Sequence, residues 1–156
     1  MSAQNLKISK LYYAVDGTRE PFEALFPADD FVALPLTGPI AVKGELMRVE
    51  EGIMLLMHEL EATQMGNCGF CEKPLKQALQ FHPSEWLYHE EKPLDYDDSD
   101  EALFLDKKQL ELDPYEPVRQ ELILHIDPAP HCPKTCKEFA EPERGVKALS
   151  KLKEIL

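Results

Sequence analysis

Apolar and polar side chains alternate most regularly in the second quarter of this chain. Ile40, Val42 and Leu46 occupy one set of positions with mostly charged residues between them, which is the period-2 pattern of a half-buried strand. Glu50-Glu51-Gly52 then predicts a hairpin turn. Residues 53–65 are ambiguous, because their composition suits a helix, whereas a strand would pair directly with the preceding strand across the turn.

Further along the chain, short apolar runs predict three extended segments, at residues 75–81, 86–88 and 103–105. A helix is predicted from about Pro114 to Ile126, since Pro114 suits the first helical position and the preceding aspartate can cap free N–H groups. Its side chains divide into an apolar stripe and an opposite polar side: Val118, Leu122, Ile123 and Ile126, against Arg119, Gln120 and Glu121.

The N-terminal part of the chain has a weaker pattern. Residues 11–15 predict a short strand that ends at a turn at Asp16-Gly17. Residues 18–26 predict a short helix, whose apolar residues would share one face: Phe22, Leu25 and Phe26. We expect residues 1–37 to form an N-terminal segment that packs on a main domain of residues 38–156.

These elements predict an α+β fold: an antiparallel, β-rich single domain with one main helix in its C-terminal half. The length of 156 residues fits one domain with a working hydrophobic core. No run of about 20 apolar residues is present, and the N-terminus lacks the apolar stretch of a secretory signal. We therefore expect a cytoplasmic protein that does not span a membrane.

The charge of the chain constrains its partners. The formal net charge is −12, which opposes broad electrostatic binding to nucleic acid, since that binding depends on Lys and Arg displacing counterions. Direct RNA contact is therefore expected to be weak or local. Two segments differ from the rest in charge: residues 90–101 are dense in acids and suit a solvated loop, and residues 146–156 carry lysines opposite a leucine stripe.

All four cysteines lie in two short pairs, Cys68/Cys71 and Cys132/Cys136, separated by sixty residues. Four thiolates from two turns match the ligand number and spacing of a tetrahedral structural zinc site. Gly69 would let the first turn bend sharply. His131 is a substitute ligand in principle, but as a neighbour of Cys132 it is more often a supporting or exposed residue.

Two other interpretations of the cysteines remain open. They can be unmetallated thiols, or Cys68-Gly69-Phe70-Cys71 can be a redox pair, although a thioredoxin-type βαβ context is not visible around it. No phosphate-binding glycine loop, G-x-S-x-G or H-E-x-x-H motif occurs. We therefore predict no enzymatic activity and no catalytic residues.

The order of these motifs resembles a known family. Val42-Lys43-Gly44-Glu45-Leu46 is followed by Asn67-Cys68-Gly69-Phe70-Cys71-Glu72-Lys73-Pro74-Leu75, an acidic linker, the helix segment of residues 110–125, and Pro130-His131-Cys132-Pro133-Lys134-Thr135-Cys136-Lys137. This sequence resembles the YceD family, the large ribosomal RNA subunit accumulation proteins. The resemblance favours a strand for residues 53–65.

The resemblance implies a non-enzymatic ribosome-biogenesis factor that supports accumulation or processing of large-subunit (23S) rRNA. Its expected partners are ribosomal or rRNA-processing proteins, which suit an acidic chain because many of them are basic. Two alternatives follow from the residues alone: a zinc-stabilised interaction module unrelated to ribosomes, and a thiol-disulfide oxidoreductase.

Overall fold

A computed structural model describes residues 5–91 and 102–132 of the chain. The strands are β1 (Leu6–Lys7), β2 (Arg19–Phe26), β3 (Leu36–Val49), β4 (Gly52–Asn67), β5 (Pro74–Phe81), β6 (Glu85–His89), β7 (Leu103–Phe104) and β8 (Glu111–Leu112). The helices are α1 (Ser9–Tyr12) and α2 (Tyr115–His125), with a 3₁₀ turn at Ala28–Asp30. The described chain is therefore strand-rich with two α-helices, as the predicted α+β class requires.

The strands form two sheets. The larger has the order β2-β3-β4-β6-β7, with β5 paired to β4 beside β6, and the smaller pairs β1 with β8. In the larger sheet, the pairs β2–β3, β3–β4 and β4–β6 are antiparallel, and the pair β6–β7 is parallel. Antiparallel pairing therefore dominates the described residues, as predicted.

The long hairpin of β3 and β4 forms the centre of the larger sheet. Ile40, Val42 and Leu46 are buried, which confirms the period-2 prediction, and Val49 pairs with Gly52 across the turn. Gly52 is required there, because a Cβ on it would lie 1.9 Å from the carbonyl oxygen of Tyr88 in β6. Residues 53–65 lie within β4, so the strand interpretation of this ambiguous segment is correct.

The two N-terminal predictions are wrong. Residues 9–12 form the short helix α1 in place of a strand, and its Leu11 is fully buried. Residues 19–26 form strand β2 in place of a helix, and buried Phe22, Ala24 and Phe26 alternate with exposed residues. Phe22 and Phe26 are four positions apart, a spacing that places them on one face of either a helix or a strand. Pro21 is tolerated in the strand because β2 lies at the edge of the larger sheet.

Helix α2 begins and ends close to the predicted positions. The side chain of Asp113 accepts a hydrogen bond from the backbone N–H of Tyr115 at 3.0 Å, so it satisfies a free donor as expected. Val118 and Leu122 are fully buried. Glu121 is buried as well, with 1% of its surface exposed, so its assignment to the polar side of the helix is wrong.

The described residues divide into two compact units. The first comprises residues 5–64, 78–91 and 102–126, and it contains the hydrophobic core. The second comprises Met65–Gln77 and residues 127–132. The boundary predicted between residues 37 and 38 stays a prediction.

Two segments singled out in the sequence lie outside the described residues: most of the acidic segment, from residue 92 onwards, and the lysine–leucine segment at residues 146–156. Neither α-helix of the described residues has the length and apolar character needed to cross a membrane.

Candidate metal centre

The first cysteine pair lies in a tight turn between β4 and β5. The backbone N–H of Cys68 donates to the carbonyl of Lys73, and the N–H of Glu72 donates to the carbonyl of Cys68, both at 2.9 Å. Glu72 has a φ of 61°, the left-handed conformation that favours glycine. Glu72 is therefore the left-handed residue that follows the turn, while Gly69 lies in the turn without a positive φ.

A second loop, residues 130–132, lies directly against this turn. The backbone N–H of Gly69 donates to the carbonyl of Pro130 at 2.9 Å. A Cβ on Gly66 would meet the Pro130 ring at 3.5 Å, an ordinary contact, so the proline packs closely beside the end of β4. These contacts fix the position of Cys132.

Three cysteine sulfurs converge between the two loops. The Sγ atoms of Cys68, Cys71 and Cys132 all lie within 4.8 Å of one another, and those of Cys71 and Cys132 are 3.5 Å apart. Zinc–sulfur bonds of about 2.3 Å in a tetrahedron place sulfurs about 3.8 Å apart, whereas a disulfide needs about 2.05 Å. The Cys71–Cys132 separation is therefore close to the spacing of two ligands of one metal ion.

The backbone supports the buried sulfur. Cys68 is 1% exposed, while Cys71 and Cys132 are half-buried. The N–H groups of Phe70 and Cys132 each donate to the Sγ of Cys68 at 3.4 Å. Such N–H donors are the outer partners that orient thiolate ligands in metal sites. The arrangement can hold a soft divalent cation, and the donor set is one that Zn²⁺ prefers.

A family comparison identifies the wider context of these loops. Residues 56–154 match the family model described as large ribosomal RNA subunit accumulation protein YceD. The chain belongs to the YceD family. The YceD match begins within β4 and extends past both cysteine loops, which confirms the resemblance inferred from the motifs. Comparison with curated proteins and with solved structures gave no match.

The YceD description bears on function only at a general level. It names the accumulation of large-subunit ribosomal RNA, and it names no enzymatic activity.

Three of the four predicted metal ligands of this YceD chain are brought together, while the fourth, Cys136, lies outside the described residues. His131 is exposed, and its ring contacts the ring of Phe70 edge-on at a centroid distance of 4.6 Å. Within the described residues, the group of convergent metal-ligand atoms comprises the three sulfurs without His131.

Some residues that shape the centre of this YceD protein were missed at the sequence level. The left-handed Glu72 and the carbonyl of Pro130 both position the cysteine loops, yet neither residue type carries a metal-site signal in a sequence. One signal in the sequence pointed to Pro130: it lies two positions before Cys132, where a rigid residue restricts the loop.

Proposed function

We propose that this protein is a non-enzymatic ribosome-biogenesis factor that supports the accumulation of large-subunit (23S) rRNA in the cytoplasm. The observation that carries the proposal is the YceD family match over residues 56–154, which is more than half of the chain. It acts through contacts with ribosomal or rRNA-processing proteins. The net charge of −12 supports protein contacts over RNA coating, because an acidic surface repels phosphate groups.

The metal in this proposal is a structural Zn²⁺ held by Cys68, Cys71, Cys132 and Cys136. The convergence of the first three sulfurs supports it, and Cys136 is the fourth ligand that the spacing predicts. A closed four-thiolate site binds no substrate, so the ion cross-links two loops that are distant in sequence. Thiol-disulfide exchange is less well supported, since a redox pair needs two sulfurs, whereas three converge here and the most buried one accepts two N–H bonds.

The experiment is deletion of the gene followed by complementation. We expect the ratio of large-subunit to small-subunit rRNA to fall in the deletion strain and to recover with the wild-type gene. Tagged protein should co-purify with components of large-subunit precursors. An unchanged rRNA ratio, together with a pull-down that contains no such component, would instead support an interaction module unrelated to ribosomes.

A further inference from the structure

The solvent side of the larger sheet carries a defined set of acidic residues. Strand register places Glu23, Lys43 and Glu59 in one row across β2, β3 and β4. The next row consists of Leu25, Ala41 and Glu61. We call these two rows, together with Gln80 of β5, the outer face. It carries three carboxylates and one ammonium group, so its net charge is negative.

Two of these carboxylates are held side by side. The side-chain amide of Gln80 donates to Glu59 at 2.6 Å and to Glu61 at 3.3 Å. The hydrogen bond from Gln80 is the main cause that lowers the pKa of Glu59, so this carboxyl group remains ionised at neutral pH. Within residues 5–91 and 102–132, neither carboxylate forms an ion pair. The amide therefore holds the two acidic side chains together at the surface.

A cavity of about 400 Å³ opens beside this pair. Its apolar wall includes Pro39, Ala41 and Ala78, and its polar wall includes Glu61, Thr63 and Gln80. Lysine and arginine side chains bury their hydrocarbon stems on apolar surface while their charged heads remain near polar groups. The cavity therefore provides both contacts that a long cationic side chain makes, an apolar wall and a carboxylate at its rim.

The direction of the strands suits an extended partner. Glu59 and Glu61 are two positions apart on β4, which places their Cα atoms about 6.6 Å apart along the strand, while their carboxyl groups converge on the amide of Gln80. Alternate side chains of an extended peptide repeat at the same backbone distance. A basic segment that lies along β4 can therefore place one cation against this carboxyl pair and the next cationic side chain beside the cavity.

We propose that the outer face binds an extended, lysine- or arginine-rich polypeptide segment, with one cationic side chain entering the cavity beside Glu61. The identity of that segment as part of a ribosomal protein rests on the proposed function, whereas the binding chemistry does not. RNA does not fit this surface, because its phosphate groups would face Glu23, Glu59 and Glu61.

The test is fluorescence anisotropy of a labelled octalysine peptide titrated with the full-length protein. Wild-type protein should bind, and Glu59→Gln/Glu61→Gln should weaken binding by about fivefold or more. Ala78→Leu, which fills the cavity without a change of charge, should weaken binding as well. The matched control is Glu50→Gln/Glu51→Gln, which removes the same charge from the exposed hairpin turn and should change affinity by less than about twofold.

Three results would overturn the proposal. One is the absence of octalysine binding by the wild-type protein, and another is an equal loss in the control variant, which would mean attraction by net charge alone. The third is octalysine binding that tightens in Lys147→Gln/Lys151→Gln/Lys153→Gln but not in the charge-matched variant Lys7→Gln/Lys10→Gln/Lys108→Gln, which would identify the occupant as the basic segment of the chain itself. If peptide binding behaves as expected but rRNA accumulation does not depend on Glu59 and Glu61, only the ribosomal identity of the partner is rejected.

Discussion

At the scale of single residues, the buried carboxylate of Glu121 organises the contact between α2 and the start of β6. Its Oε1 accepts hydrogen bonds from the backbone N–H of Ser84 at 3.0 Å and from the indole N–H of Trp86 at 3.1 Å. A glutamate that directly follows Arg119 and Gln120 gives no sequence signal of burial, so the amphipathic pattern of the helix misplaced it. Only the tertiary structure shows the two donors that make its burial favourable.

We expect Glu121→Leu to lower the free energy of unfolding by about 1–3 kcal/mol, because it leaves the part-buried N–H groups of Ser84 and Trp86 without their acceptor. Glu121→Gln retains an acceptor oxygen and should cost about 1 kcal/mol. Urea unfolding followed by the fluorescence of Trp86, the single tryptophan of the chain, measures both. Equal losses in the two variants would contradict the role of the hydrogen bonds.

A second residue-scale prediction concerns pH. Glu90 accepts hydrogen bonds from the hydroxyl of Tyr12 at 2.7 Å and from the guanidinium of Arg48 at 3.1 Å. These bonds, that of Tyr12 first, lower the pKa of Glu90 below its ordinary value of 4.5. Their stabilisation is therefore complete above pH 4.5 and is lost as the pH falls through the lower folded pKa.

We expect Glu90→Gln to be less stable than wild type at neutral pH, with a difference that shrinks as the pH falls below the ordinary glutamate pKa. Urea unfolding at a series of pH values measures this difference. Glu91→Gln is the matched control, since the neighbouring Glu91 is exposed. A difference that is constant with pH would show that the pair does not titrate as described.

At the scale of elements, β3 was predictable from its alternating pattern, whereas β4 was ambiguous from its residues alone and only the family resemblance favoured a strand there. The register shift within the β3–β4 hairpin was not predictable. Lys43 pairs with Glu59 and Gly44 with Met57, so His58 is the extra residue of a bulge. A Cβ on Gly44 would lie 2.0 Å from the carbonyl oxygen of Leu56, which explains why glycine occupies this position.

Gly44→Ala should therefore destabilise the protein by about 3 kcal/mol, because backbone atoms would have to move apart. Gly69→Ala is the control, since its Cβ would find no atom closer than 3.7 Å, and it should cost less than about 1 kcal/mol. Thermal unfolding compares the two. Similar losses would mean that the close approach at Gly44 is relieved by small shifts.

The cysteine loops are the second element-scale case. The sequence identified the cysteine pairs by spacing, and the structure brings Cys68, Cys71 and Cys132 together as that interpretation requires. The role of Cys136 as a ligand stays a prediction.

We expect about one zinc ion per purified chain, and a fall in Tm of roughly 10 °C after chelation or in Cys71→Ser. Phe70→Ser, in the same turn but without a ligand, should retain zinc. Metal-free wild-type protein that melts unchanged after chelation would reject the site.

At the scale of the whole molecule, net charge was the property read most directly from the sequence. A formal charge of −12 produces self-repulsion in the folded chain, which salt screens. We expect the free energy of unfolding to rise by on the order of 1 kcal/mol between low and high NaCl. Glu50→Lys/Glu51→Lys removes two negative charges and adds two positive ones, so the net charge changes by +4 and this dependence should be reduced. An equal salt effect in both proteins would assign it to causes other than repulsion.

The converging sulfurs also constrain the order of events during synthesis. Cys71 and Cys132 are 61 positions apart, and translation at about 5–20 residues per second separates their emergence by roughly 3–12 seconds. During that interval the nascent chain offers a metal only the two thiols of its first turn. In the proposed zinc site, tight capture of the ion must therefore wait until residue 132 has been synthesised.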